Sequence, residues 1–247
     1  MLMDMKVAKR IKSGLTGATA LGLLAIANPA YAASLLQYNF SDNSGITATE
    51  APSFVAANLT GVNFTRGSGL TPVSASDGFN SSGWSAFASN ANDYLNFGFN
   101  VTTGYSAVVN QLAFTSSRSN TGPSNMAVFA AVDGGAFTQV STFTQSTSDT
   151  SRILDFAPLT GASSIFFRIV ATSAASAPGG TFRVENYTPS TNASPFSLNG
   201  NVSAIPVAVP SVPEPATWAM MLMGFGAIGA GMRRGKKQNV GPQFATA

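Results

Sequence analysis

Short runs of alternating apolar and polar residues fill the middle of the chain, and clusters of Gly, Ser, Asn and Pro separate them. Residues 95–101 read Leu-Asn-Phe-Gly-Phe-Asn-Val, the period-two pattern of a strand that buries one face. Residues 126–132 are a second apolar run that ends at Asp133-Gly134, a strong signal for a β-hairpin. Many short strands at this spacing predict an all-β fold of the β-sandwich or jelly-roll type. Further strands are predicted over 35–40, 59–65, 108–115, 136–143, 152–156, 165–171, 181–187 and 196–202.

The N-terminal residues have the organisation of a secretory signal peptide. Four basic residues lie within positions 6–12, and an apolar stretch follows over 15–26. Ala30 and Ala32 then form the small-x-small pattern that signal peptidase recognises. We therefore predict export by the general secretory route and cleavage just before Ala33. A retained N-terminal anchor is the alternative.

The C-terminal residues form a second ordered series, in which Pro213-Glu214-Pro215 precedes an uncharged run over 216–232. A helix of that run would be about 25 Å long, against a hydrocarbon core of about 30 Å. Trp218 would lie at the membrane interface, and basic residues would hold the other end in the cytoplasm. The series predicts a single short transmembrane helix; a buried helix of a globular domain is the alternative. The predicted stop-transfer charges are Arg233, Arg234, Lys236 and Lys237.

Pro213-Glu214-Pro215, with Trp218-Ala219-Met220-Met221 and Gly224-Phe225-Gly226 after it, resembles the PEP-CTERM sorting signal of Gram-negative bacteria. The resemblance implies processing by an exosortase, a membrane-embedded enzyme, at or near the Pro-Glu-Pro. It also implies an inner-membrane precursor and a final location at the cell surface or in the extracellular matrix. The expected partners are thus signal peptidase, exosortase and, transiently, the inner membrane.

Residues 118–123, 133–135, 167–169 and 180–186 occur in an order common in exported PEP-CTERM proteins. Through these motifs the central region is loosely similar to galactose-binding-type jelly rolls and carbohydrate-binding modules. The resemblance implies a jelly roll that binds polysaccharide, including exopolysaccharide. It identifies no individual sugar-binding residue, and Glu185 stands where many relatives have Asp.

The predicted organisation is a signal peptide (1–32), a β-sandwich domain (33–205), a Pro-rich linker (206–215), a transmembrane helix (216–232) and a basic cytoplasmic tail (233–247). All five Lys residues lie in the two terminal segments. The residues from 33 to 212 contain five basic and eight acidic residues, which gives a net charge of −3. The basic overall balance therefore belongs to the sorting segments and does not indicate a nucleic-acid partner.

The chain has no His and no Cys, which excludes a Ser-His-acid relay, a His-ligated metal and a thiol nucleophile. We therefore expect no enzymatic activity. The alternative is a secreted carbohydrate-active enzyme with two carboxylates about 5–9.5 Å apart. Asp77, Asp93 and Asp133 lie beside Gly or Asn and are expected to form turns, with a calcium site as the alternative. Trp84 is expected in the core, with a sugar-stacking platform as the alternative.

Overall fold

The alternating runs of the sequence form antiparallel strands in the computed structural model, which describes residues 33–41, 43–86, 91–186, 195–207 and 215–235. Within these ranges the chain forms fifteen strands and one helix. The strands are β1 (Ala33–Tyr38), β2 (Thr49–Glu50), β3 (Pro52–Val55), β4 (Leu59–Gly61), β5 (Phe64–Arg66), β6 (Thr71–Pro72), β7 (Gly78–Ser82), β8 (Tyr94–Val101), β9 (Tyr105–Arg118), β10 (Asn125–Val132), β11 (Thr138–Thr144), β12 (Thr150–Gly161), β13 (Ser164–Ala171), β14 (Phe182–Glu185) and β15 (Phe196–Ala204).

The strands form two antiparallel sheets, which is the β-sandwich arrangement that the sequence predicts. The eight-stranded sheet has the order β3-β1-β15-β9-β14-β7-β6, with β12 also paired to β9. The seven-stranded sheet has the order β11-β10-β13-β8-β5-β2, with β4 also paired to β8. Strand β9 is the centre of the larger sheet, because β12 covers one edge while β15 and β14 share the other.

A register shift at Asn110 divides β9 into two halves, and it occurs opposite both β15 and β12. Ala107 and Val109 face the core before the shift, and Leu112 and Phe114 face it afterwards. Since side chains alternate along a strand, Ser117 lies on the opposite, outer face of the sheet. The shift therefore decides which residues at the C-terminal end of β9 reach the surface.

The core lies between the inner faces of the two sheets and is mainly aromatic. Phe196 lies at its centre, with ring centroids 4.7 Å from Phe97 and 5.1 Å from Phe64. Edge-to-face contacts of this kind add about 0.5–1.5 kcal/mol per pair beyond the burial of area. The largest side chains with almost no exposed surface are Tyr38, Phe40, Phe64, Phe79, Phe97, Phe99, Phe114, Phe167, Phe182 and Phe196.

Each predicted strand run overlaps an observed strand, but some boundaries differ. The run 59–65 is two strands, β4 and β5, rather than one. The hairpin after β10 resumes at Thr138 instead of residue 136, because Asp133 (φ 51°) and Gly134 (φ 76°) begin a longer loop. The strands β2, β3, β6 and β7 were missed because they are too short for alternation to be visible.

The C-terminal unit begins at Ile205 and contains helix α1 (Pro215–Gly235). Pro215 is its first residue, a position that tolerates proline because the first amides of a helix have no partner within it. Within the described part of the chain, no helix is long and apolar enough to cross a membrane. The run predicted over 216–232 lies within helix α1, and the membrane-span, stop-transfer and cytoplasmic assignments for this region stay predictions.

Candidate functional site

A polar cavity opens on the outer face of the eight-stranded sheet, at the end where β9, β14 and β7 meet. Its volume is about 270 Å³. Its described lining has five hydroxyl side chains, one amide, two guanidinium groups and one methyl group, and no aromatic ring among them. The lining residues are Ser74, Ala75, Asn80, Ser117, Arg118, Ser119, Thr147, Thr181 and Arg183.

The strand register brings three of these residues into one row. Arg183 of β14 pairs with Asn80 of β7 on one side and with Ser117 of β9 on the other. Their neighbours Phe182 and Val184 are buried in the core, so alternation directs Arg183 to the outer face. The cavity is therefore a direct result of strand order and side-chain alternation.

Arg183 is held by a hydroxyl group and two carboxylates. Its Nε donates to Ser117 Oγ at 2.8 Å, and its Nη2 donates to Asp149 Oδ1 at 3.1 Å. Nε also lies 2.8 Å from Glu185 Oε2, and this contact is electrostatic because the Nε hydrogen points to Ser117. The guanidinium is thereby fixed in a single orientation at the wall of the cavity.

Glu185 and Asp149 interact behind Arg183, and their acidities differ. Glu185 is only 1% exposed, and burial raises its pKa to about 7, helped by the hydrogen bond with Asp149 and opposed by Arg183. Burial acts to raise the pKa of Asp149, but its hydrogen bonds to Glu185, Arg183 and Ser117 together lower that pKa below its usual value. Near neutral pH the pair therefore carries between one and two negative charges.

Among the described residues, Arg118 donates to backbone carbonyl oxygens alone. Its Nε donates to Gln145 O at 2.9 Å, and its Nη1 donates at 3.0 Å to both Ser119 O and Asn120 O. Within the described residues, Arg118 forms no ion pair and its Nη2 makes no hydrogen bond. Its positive charge is thus not offset by a carboxylate of the described chain.

Asn80 is the least satisfied polar group in this cavity. The residue is 6% exposed, and its Oδ1 has no hydrogen-bond partner among the described residues. An unpartnered buried polar group costs about 1–3 kcal/mol, so native structures seldom retain one without a reason. Local sequence patterns do not indicate Asn80 or Asp149, because their proximity to β14 depends on strand order and on the loop before β12.

The three aspartates selected from the sequence have local structural roles. Asp133 has a left-handed φ and accepts hydrogen bonds from the backbone amides of Ala162, Ser163 and Ser164 at 2.7–3.1 Å. These bonds lower its pKa to about 2. Asp77 also has a left-handed φ, 54°, as a turn residue does. Asp93 is buried and accepts from Ser85 N at 3.0 Å and from the Ser85 hydroxyl.

These positions do not assemble a metal site in the described part of the chain. No three Asp, Glu, His or Cys side chains lie together there in a cluster that could hold a metal ion. Trp84 is 3% exposed, stacks edge-on against Phe182 and donates from Nε1 to Ser81 O at 2.8 Å. The core interpretation of Trp84 is therefore confirmed.

The predicted sorting residues are only partly described. Trp218 lies in α1 and is exposed, and Arg233 and Arg234 occupy its last turn. Ala33 is the first residue of β1 and pairs with Gly200. The other residues predicted for cleavage, sorting and charge lie outside the described residues: Ala30, Ala32, Pro213, Glu214, Lys236 and Lys237.

Comparison with known proteins gives one match in the sorting region and a low-level structural similarity. A mutant of CBM29-2, a family 29 carbohydrate-binding module, aligns with 60% of this chain and 85% of its own, at 14% identity and a TM-score of 0.32. No curated protein matches the chain. The PEP-CTERM protein-sorting motif matches residues 211–236. The chain therefore carries a PEP-CTERM signal, which implies export and exosortase-mediated anchoring or release at the cell surface.

Proposed function

We propose that this protein is an exported, non-catalytic module of the cell surface or extracellular matrix that binds polysaccharide through the polar cavity. Two features support the proposal: the PEP-CTERM motif at 211–236 supports export, and the cavity on the outer face of the eight-stranded sheet supports binding. Removal of the signal peptide precedes exosortase processing. The domain then remains outside the cell, where glycans are abundant ligands.

The observation that carries the binding proposal is the concentration of hydrogen-bonding side chains around one cavity, namely five hydroxyl groups, one amide and two guanidinium groups. The Ser and Thr hydroxyls can both donate to and accept from sugar hydroxyls, and the guanidinium groups can donate to them. A cavity of this kind binds one sugar weakly, and many displayed copies would raise the avidity for a polymer.

Replacing Ala75 with Leu tests this assignment by reducing the cavity without removing a polar group. We expect retardation by the producer's exopolysaccharide in affinity electrophoresis for the unmodified protein and at least a fivefold weaker effect for Ala75→Leu. Ala204→Leu, at an exposed position at the end of β15, is the matched control. Equal retardation of all three proteins would place any binding elsewhere, and no retardation would leave a structural matrix role.

A second test concerns sorting. Glu214→Ala changes the centre of the Pro-Glu-Pro, so we expect uncleaved precursor to accumulate in exosortase-positive cells. Pro210→Ala, in the same linker but before the matched motif, should be processed normally. C-terminal mapping by mass spectrometry measures the outcome. Mature protein that still contains Trp218 in cells expressing the unmodified chain would contradict exosortase cleavage.

The alternative function, glycan hydrolysis by two carboxylates, has one specific observation behind it, the contact between Asp149 and Glu185. A hydrolytic pair needs about 5–9.5 Å between its carboxyl groups and access to the sugar. Asp149 and Glu185 are instead hydrogen-bonded, and Glu185 is buried. We therefore expect no release of reducing ends from any glycan. Turnover that is lost in Asp149→Asn would overturn the proposal in favour of an enzyme.

A further inference from the structure

We propose that the cavity selects an acidic sugar unit, such as a uronate, over the corresponding neutral sugar. This inference rests on the proposed function, because it assigns a ligand class to the same cavity. The side chains that support it are the two guanidinium groups, Arg118 and Arg183, and the hydroxyl groups that line the cavity with them. They favour ligand atoms of two different kinds, namely an anionic acceptor and sugar hydroxyls.

The requirement for an acceptor comes from the two guanidinium groups. Arg183 uses Nε and Nη2 within the protein, and Arg118 uses Nε and Nη1. In the described part of the chain, the remaining Nη group of each residue donates no hydrogen bond. Guanidinium groups form their strongest hydrogen bonds with carboxylate or phosphate oxygens. A ligand carboxylate would therefore gain more here than a neutral hydroxyl group.

The charges near the cavity do not cancel this preference. Asp149 and Glu185 both contact Arg183, so they offset that guanidinium rather than Arg118. Glu185 is also largely shielded from a ligand because it is buried behind Arg183. The positive charge of Arg118 faces only carbonyl dipoles among the described residues. The open side of the cavity thus favours an anion.

The preference for ligand hydroxyls comes from the five Ser and Thr side chains of the lining, which can accept hydrogen bonds as well as donate them. A uronate carries both a carboxylate and ring hydroxyls. The volume of about 270 Å³ lies just below the range of about 300–1,000 Å³ usual for drug-sized ligands. It therefore fits one sugar ring rather than an extended chain. Without an aromatic wall, hydrogen bonds and charge would provide most of the recognition.

Isothermal titration calorimetry of the full chain with galacturonate and galactose trisaccharides tests the selectivity. We expect the acidic trisaccharide to bind at least tenfold more tightly than the neutral one. Its affinity should also fall severalfold between about 20 and 300 mM NaCl, because salt screens the interaction between charges. These concentrations correspond to Debye lengths of roughly 20 and 6 Å. Equal affinities with no salt dependence would overturn the inference and leave the proposed function intact. Absence of binding to both sugars, and to the exopolysaccharide, would overturn both.

Asn80→Asp sharpens the test, because it retains the shape of the side chain and adds a negative charge. We expect at least a tenfold loss of affinity for the acidic trisaccharide. Asn201→Asp adds the same charge at an exposed position of β15 and should change affinity less than twofold. An unchanged affinity in Asn80→Asp would contradict the assignment. If Asn80→Asp fails to fold, the salt dependence and selectivity of the unmodified chain still decide the question.

Discussion

The two faces of the eight-stranded sheet have different roles, although neighbouring residues of the same strand contribute to both: the inner face packs the core and the outer face lines a polar cavity. On β14, Phe182 and Val184 are completely buried in the core, while Arg183 between them lines the cavity. The inner face is fully occupied by aromatic contacts. The outer face contains hydrogen-bonding groups, and two of their oxygens, Asn80 Oδ1 and Glu185 Oε2, accept no hydrogen bond among the described residues. Substitutions on the two faces should therefore have separable effects, on stability and on binding respectively.

The largest expected effect comes from the inner face. Phe196 lies within 6.2 Å, centroid to centroid, of Tyr38, Phe40, Phe64, Phe97 and Phe114. Its replacement by Ala should lower the free energy of unfolding by about 3–5 kcal/mol, since it leaves a large cavity in the core. Urea denaturation measures this change. Phe54→Ala, at a position 45% exposed on β3, should cost less than about 1 kcal/mol. Equal losses would contradict the assigned core.

The next effect concerns pH and the buried Glu185. Because its pKa in the folded state is about 7, the folded protein retains a proton that the unfolded chain releases near pH 4.5. Stability should therefore fall as pH rises from about 4.5 to 7, on the order of 1–3 kcal/mol, and then level off.

Glu185→Gln should remove most of this slope, which denaturation at several pH values can measure. Asp155→Asn, which changes an exposed carboxylate on the outer face, is the matched control and should retain the slope. A slope unchanged by Glu185→Gln would show that Glu185 is already ionised in the folded protein.

A smaller effect is expected at Asp133. Its carboxylate holds the turn between β12 and β13 through the amides of Ala162, Ser163 and Ser164. Asp133→Asn removes the charge and keeps a side chain that tolerates the left-handed φ of 51°, so it should cost about 1 kcal/mol at neutral pH. Because its pKa is lowered to about 2, this contribution should disappear as pH falls from about 3.8 through 2. Thermal melts of both proteins at pH 7 and pH 2 measure it. A difference that persists at pH 2 would contradict the carboxylate mechanism.

The smallest effect on stability, and the clearest separation of the faces, is expected for Asn80→Leu. Leu has a similar shape and removes an unpartnered buried oxygen, so the free energy of unfolding should change by less than about 1 kcal/mol. Binding of the acidic trisaccharide should nevertheless be lost. Urea denaturation and calorimetry on the same preparation provide both values. A variant that keeps full affinity would remove Asn80 from the site.

The sequence predicted the sandwich because its signals were local. Alternation over 95–101 and the Asp133-Gly134 turn each depend on a few adjacent residues, and both lie in the expected elements. Alternation also indicates that Arg183 and Glu185 share a face opposite to Phe182. The helix over the apolar C-terminal run was predicted as well, from residues that are adjacent in the sequence.

The cavity could not be predicted in the same way. Asn80, Ser117 and Arg183 form one row only because β7, β14 and β9 are neighbours, and strand order is not encoded in local patterns. Asp149 reaches Glu185 from a loop. The register shift at Asn110 adds a further difficulty, since a change of one residue reverses the face of every later side chain in β9.

The most direct test of the separation between the two faces is a chemical-shift map of the isotopically labelled protein titrated with the galacturonate trisaccharide. We predict that the largest amide shifts occur at Asn80, Ser117, Arg118 and Arg183, with small shifts in the aromatic core. Shifts concentrated on the outer face of the seven-stranded sheet, or no shifts at millimolar ligand, would contradict the assignment of binding to the polar cavity.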